Sequence, residues 1–414
     1  MIYSKRIFIF FINDILQLST SLTYKISKSA KILKMSSKEI QINLFLDEMK
    51  EIQEELLNYL ETPIQEVDFE EYQGLKYKLD NIIIQNNQHK LKSLLYLISK
   101  ISDNHHRETS FFSKIEQILQ LFKDDILRYF SNSSIFNIFK NNKRILLILI
   151  EKNIMYMDEY IVKKIIDDKF IKSNYPQYFA PEIKPFVNEK WFPKYEPYNQ
   201  KLKCNSWVQI IKEEKLPDSF YENRKKGEND DYICQLIRED SIDDFIIYVT
   251  KNPNSLGLII KSSIYETNNF LIRNKESSLI EYAVFYGSIQ ILNYLIINNG
   301  ELTSSLWKYA IHGKNNDIIH LLEENHINPP KDYDELYRES IKCHHIDIAN
   351  YFQNNFLNLN ENINNNILID NLKYYNFAFI QYNNIKESLF CHLCKYDYYL
   401  ITICFIENIK ETEI

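Results

Sequence analysis

Apolar residues recur along this chain in short helical bursts that come in pairs. In Ser278–Gly300, Ile280, Ala283 and Val284 fall on one face of a first helix. Ile289, Leu292, Leu295 and Ile296 fall on one face of a second. Gly287 and Ser288 mark the turn between them, where the second helix needs a cap. Gly300 is expected to close the second helix in the left-handed conformation. Neither helix is long enough to be stable alone, so the pair needs neighbours against its apolar side.

The neighbours carry the same pattern. It returns in Ser305–Asn325 with Ala310 in the place of Ala283, and in Leu336–Asn354 with Ser340 there. Weaker copies follow at Ile367–Tyr382 with Asn371 and at Leu389–Ile406 with Leu393, and one precedes at Tyr232–Val249. A recurring helix–turn–helix unit predicts an α-solenoid, in which each unit buries its apolar face on the next.

The unit resembles the ankyrin repeat. Ser278-Leu279-Ile280-Glu281-Tyr282-Ala283 stands where that family reads T-P-L-H-x-A. Gly287-Ser288-Ile289-Gln290-Ile291-Leu292 and His344-His345-Ile346-Asp347-Ile348-Ala349 are similar to the family's second-helix motif. The chain lacks the Thr-Pro and the motif His of the first. The layout, helices followed by degenerate repeats, looks like the expanded ankyrin-repeat families of parasitic protists. The resemblance implies clipped loops, reduced β-hairpin fingers and an exposed concave face beside the small positions. On that face it places the candidate partner-binding residues Tyr282, Phe285, Tyr286, Tyr309, His312 and Lys342.

Upstream, four regions divide the chain. Residues 1–34 form a basic extension, with six Lys or Arg against one Asp, and Met35 reads as the more natural start. Its apolar run Ile7–Ile12 is too short for a signal peptide or a span. Residues 35–170 read as an all-α region. Ser36 and Glu39 form a capping box, amphipathic helices cover Ile42–Leu60, Leu75–Ile84, Lys90–Ile101 and Phe111–Phe130, and Ser113 with Glu116 offers a further cap. Ser133–Asn153 can be laid over Ser305–Asn325 without gaps, so repeat-like packing is expected from 133. Residues 171–220 hold six of the ten Pro, which predicts an extended, non-helical connector with its aromatics buried. Residues 221–414 are the repeats. Their last unit is too apolar for a cap, so either the C-terminal tail or a partner must cover it.

Composition removes several functions. Six widely spaced Gly leave no phosphate-cradling loop and no nucleophile elbow. A net charge of −7 gives no basic surface for nucleic acid. Six scattered Cys read as reduced thiols, which fits the cytoplasm. Cys391-His392-Leu393-Cys394 has half a zinc motif and no second half, and His105-His106-Arg107-Glu108 reads as a solvated turn. Cys204 and Cys234 have no nearby His, and adjacent Asp pairs such as Asp230-Asp231 point apart on a helix. The expectation is a non-enzymatic scaffold that binds protein partners without cofactor, metal or membrane span. The alternative is an enzyme, or a secreted or membrane-associated effector, that uses the repeats as a recruiting arm.

Overall fold

The computed structural model describes residues 30–63, 69–84, 87–105, 108–166, 174–186, 216–252, 256–274, 276–298, 300–357, 361–381 and 384–412. Expectations for residues 1–29, for Trp191, Phe192, Tyr195, Tyr198, Cys204 and Trp207, and for His106 and Arg107 lie outside them. The described chain is all-α apart from one pair of three-residue strands.

The described part of the N-terminal half opens on a long helix, α1 (Ala30–Glu61), followed by α2 (Phe69–Ile84) and α3 (Gln88–Asn104). Helix α1 starts upstream of Ser36, so the predicted capping box lies inside a helix and the boundary at Met35 falls mid-element. Pro63 follows its end, as a residue that cannot continue a helix should. The predicted helix over 111–130 is two, α4 (Phe111–Leu121) and α5 (Lys123–Tyr129), broken at Phe122. Ser113 does not cap; its hydroxyl donates to the Ser110 carbonyl. Then come α6 (Asn132–Phe139), α7 (Lys143–Glu151) and α8 (Glu159–Ile165). The pair α6–α7 matches the predicted helix–turn–helix, with Ile138 buried and Asn142 capping Ile145.

The described first part of the connector, residues 174–186, departs from expectation. Residues Tyr175–Tyr178 and Ala180–Ile183 form two short helices, α9 and α10. Their prolines, Pro176 and Pro181, sit in the first turn, where a missing N–H and a fixed φ do no harm. Their aromatics do bury: Tyr175, Tyr178 and Phe179 are in the core.

From 216 the chain runs through α11 (Asp218–Lys226) into α12 (Tyr232–Arg238) and α13 (Ile242–Lys251). Strand β1 (Ile259–Lys261) pairs antiparallel with β2 (Glu276–Ser278), and α14 (Asn269–Arg273) lies between them. The paired helices continue as α15 (Leu279–Tyr286) with α16 (Ile289–Ile297), α17 (Leu306–His312) with α18 (Asn316–Glu324), and α19 (Tyr333–Cys343) with α20 (Ile346–Phe356). Helix α21 (Glu361–Tyr374) is followed by a single 3-10 turn, Phe377–Phe379, where a second helix was expected. The pair α22 (Phe390–Lys395) and α23 (Tyr399–Thr412) is the last among the described residues.

Every first helix from α12 onward closes in the same way. The amide five residues beyond the small position donates back to that position's carbonyl: Ser241 to Leu236, Ser288 to Ala283, Asn315 to Ala310, His345 to Ser340, Asn376 to Asn371 and Tyr398 to Leu393, all at 2.9–3.1 Å. This is the 6→1 bond of a left-handed helix stop. The residue just before each donor has positive φ: Asp240, Gly287, Lys314, His344, Tyr375 and Asp397. The five positions read from sequence, Ala283, Ala310, Ser340, Asn371 and Leu393, are therefore the structural register of their turns, and Leu236 holds the same place in α12. Side by side, α12, α15, α17, α19, α21 and α22 pack in chain order as one row.

Close approach decides two further glycines. A Cβ on Gly313 would lie 2.2 Å from the Phe285 carbonyl oxygen in the preceding pair. Gly300 does not take a left-handed conformation; a Cβ there would lie 2.6 Å from the Leu295 carbonyl oxygen. Caps also come from neighbours. Ser288 does not cap α16, because its hydroxyl donates to the Ile237 carbonyl one pair upstream. The Asp240 carboxylate accepts from the Gln290 and Ile291 amides instead, at 3.0 Å each.

The core shows how the halves meet. One apolar cluster holds α12 to α20. The other holds α1 to α10 together with Leu368, Leu372, Phe377, Leu393 and Ile401. The apolar last pair is thus covered by the chain's own N-terminal helices, with His89 stacked on Tyr399 at 3.8 Å and Phe45 edge-on to Phe377 at 6.3 Å.

Candidate functional site

Three places gather chemistry-bearing side chains. The first is the row of first helices, where sequence placed the partner-binding residues. Tyr282, Phe285, Tyr309 and His312 are buried there, and Tyr286 and Lys342 are half-buried, so the expected exposure is corrected. The cover is internal. Phe270 of α14 stacks on Phe285 and on His312, the latter at 3.8 Å, and meets Tyr309 edge-on. Arg238 donates to the Tyr282 hydroxyl at 3.1 Å and lies over the Tyr286 ring. The Tyr309 and Ser277 hydroxyls are bonded at 2.9 Å. Sequence reasoning missed α14 because five residues carry too little periodicity to be read as an element.

Beside this cover lies an open cleft of about 490 Å³, within the range of ligand sites. Phe270 and Tyr309 form its apolar part, and Arg273, Glu276, Glu281 and Lys308 its polar rim. Glu281 closes a capping box with Ser278 and accepts from Ser305 at 2.7 Å. Lys308 is paired with Glu335 at 2.8 Å. Arg273 and Glu276 are exposed. Of the residues named from sequence, Tyr309 is the one that lines this cleft.

The second place is a Cys–His–Glu line. Cys343 Sγ lies 3.4 Å from His312 Nδ1, and His312 Nε2 lies 2.6 Å from Glu339 Oε1. A nucleophile, a base and an orienting carboxylate stand in the right order. The electrostatics oppose the chemistry. Burial pushes the Cys343 thiol well up, and the Glu339 charge adds to it. Burial lowers His312 to about 4 against the opposing pull of Glu339. Burial also works against the charge on Glu339, but the His312 N–H and the Lys342 ammonium outweigh it and hold the carboxyl well below the usual range. Thiol and imidazole are both neutral, and the Phe270 ring stacks on His312. No thiolate–imidazolium pair forms at neutral pH.

The third place is the seam between the halves. Gln53 donates to Asn376 Oδ1 at 2.8 Å and accepts from the Phe377 amide at 2.6 Å. Asn376 in turn donates to the Ile341 carbonyl at 2.9 Å. Nearby, Glu61 at the end of α1 meets His105 Nε2 at 2.9 Å and also accepts from the Lys314 ammonium. Burial raises the Glu61 pKa, but His105 and Lys314 outweigh it and bring it to about 2. His105 is buried, not solvated, and its ring lies 4.6 Å from that of His345. Among the described residues, Glu61, His105 and His345 are the group that brings three metal-ligating atoms within 4.8 Å, and the Cys391–His392–Cys394 segment is not part of it. The sequence signal for this cluster was absent, because its members lie far apart in the chain.

A buried lysine also ties the halves: Lys143, its pKa lowered to about 7 by burial, donates to the Ile264 carbonyl at 2.9 Å. No described helix is long and apolar enough to cross a membrane. No family model, no curated protein and no solved structure matches the chain.

Proposed function

We propose that the chain is a non-enzymatic scaffold of stacked ankyrin-like helix pairs that binds a protein partner. The single observation that carries this reading is the open cleft beside α14, α15 and α17. It combines an apolar floor, Phe270 and Tyr309, with the exposed Arg273 guanidinium on its rim. An extended segment with an apolar side chain and a carboxylate matches those groups: the apolar group fills the floor and the carboxylate takes the guanidinium fork. The surrounding row is held by helix-to-helix contacts and turn hydrogen bonds, the construction that lets repeat arrays bind by contact area. The neutral Cys343–His312 pair favours binding over covalent chemistry.

The test is affinity capture by the full chain from the cells that make it, with an Arg273→Glu variant alongside. A partner retained by the wild type and lost by a variant of unchanged melting temperature is the expected result. Identical captures from both chains would remove the cleft from the account.

A further inference from the structure

We infer that Glu61, His105 and His345 form a binding site for one divalent transition-metal ion that fastens the N-terminal helices to the helix pairs. The three side chains come from the end of α1, the residue after α3 and the residue before α20. Their ligating atoms lie within 4.8 Å of one another, and two of them, Glu61 Oε1 and His105 Nε2, are 2.9 Å apart. A tetrahedral zinc ion holds its ligands at about 2.0–2.2 Å, hence roughly 3.4 Å from one another. Side-chain rotation of about an ångström closes the set around an ion. Two imidazoles and a carboxylate are the donors that zinc and its first-row neighbours prefer, and a poor set for calcium or magnesium. His105 and His345 are both 1% exposed, while Glu61 is half-buried on the rim, which gives an ion a route in. The fourth position falls to water.

Lys314 already supplies a positive charge to Glu61 Oε1. An arriving cation takes over that partnership, and the ammonium, itself partly exposed, swings to solvent. Lys314 is therefore the ion's competitor. This separates a metal site from a merely structural cluster: removing the lysine must strengthen metal binding although it deletes an ion pair.

The experiment is calorimetric titration of zinc chloride into chelator-treated full-length chain. It uses a Cys391→Ser/Cys394→Ser background to remove the exposed Cys391 thiol and its half-buried neighbour Cys394. One zinc per chain is expected, with micromolar or tighter affinity and a raised melting temperature. In that background Glu61→Gln and His345→Gln should each weaken binding by at least ~10-fold, and Lys314→Met should strengthen it. If His345→Gln does not fold by circular dichroism, Glu61→Gln decides, since a neutral isostere on the rim keeps the packing. The inference is overturned if the background chain takes up no zinc, if Glu61→Gln binds as tightly as its parent, or if Lys314→Met binds more weakly.

Discussion

At the scale of single residues, the first-helix turns place residues other than glycine in the left-handed region. Asp240, Lys314, His344, Tyr375 and Asp397 all take positive φ, where a Cβ meets the neighbouring carbonyl. Several recover the loss through contacts: Asp240 caps α16, Lys314 reaches Glu61, and Asp397 pairs with Lys92. His326, at φ 54° after α18, is exposed. Replacing His326 with Gly should raise stability by about 1 kcal/mol in chemical denaturation. Gly313→Ala should lower it by about 1–3 kcal/mol, because the new methyl meets the Phe285 carbonyl. Thiol chemistry gives a second residue-level prediction. Cys391 is exposed, while Cys343 is buried and held as the thiol. Mass-mapped alkylation of the native chain at neutral pH should label Cys391 and leave Cys343 unmodified until the chain unfolds. Early labelling of Cys343 would show that the His312 line is an active dyad.

At the scale of elements, the hydrophobic period located most helices, and the small positions located their turns. What it missed has physical reasons. The prolines of 175–183 occupy first turns, where composition alone cannot tell a breaker from a starter. Capping was misplaced at Ser113 and Ser288, because a cap motif does not reveal whether the hydroxyl has a better acceptor elsewhere, and at Ser36, because the helix begins upstream of it. Phe285, Tyr309 and His312 are not exposed as expected, because Phe270 of α14 packs on all three rings. That packing has a pH signature. His312 faces Glu339, Lys342 and Cys343, with the Arg273 charge also lowering its pKa. Its folded pKa, about 4, lies below the ordinary 6.5. Above pH 6.5 it is neutral in both states and stability is full. As pH falls from 6.5 toward 4 the unfolded chain takes up a proton that the folded chain refuses. Stability then declines by up to about 1.4 kcal/mol per pH unit from this group. Melting curves between pH 7.5 and about 4.5 should therefore fall more steeply for the wild type than for His312→Gln. Parallel slopes would mean that His312 is not held neutral by its surroundings.

At the scale of the whole molecule, the seam was the part least legible in the sequence. Gln53, Glu61 and His105 carry no local motif, and their partners Asn376, Lys314 and His345 lie far away in the chain. The excess of apolar residues in the last pair did signal that something must cover it, but it did not say that α1 and α3 would do so. This closure decides which surface of the row stays free for a partner. Hydrogen exchange on the native full-length chain tests it directly. If α1 and α3 close on the row, amides of Met49–Tyr59 and Leu91–Ile101 should exchange as slowly as those of Leu336–Ile341, and all should open together on mild destabilisation. Exchange in α1 and α3 that is orders of magnitude faster than in α19 would mean that the N-terminal helices do not hold the row.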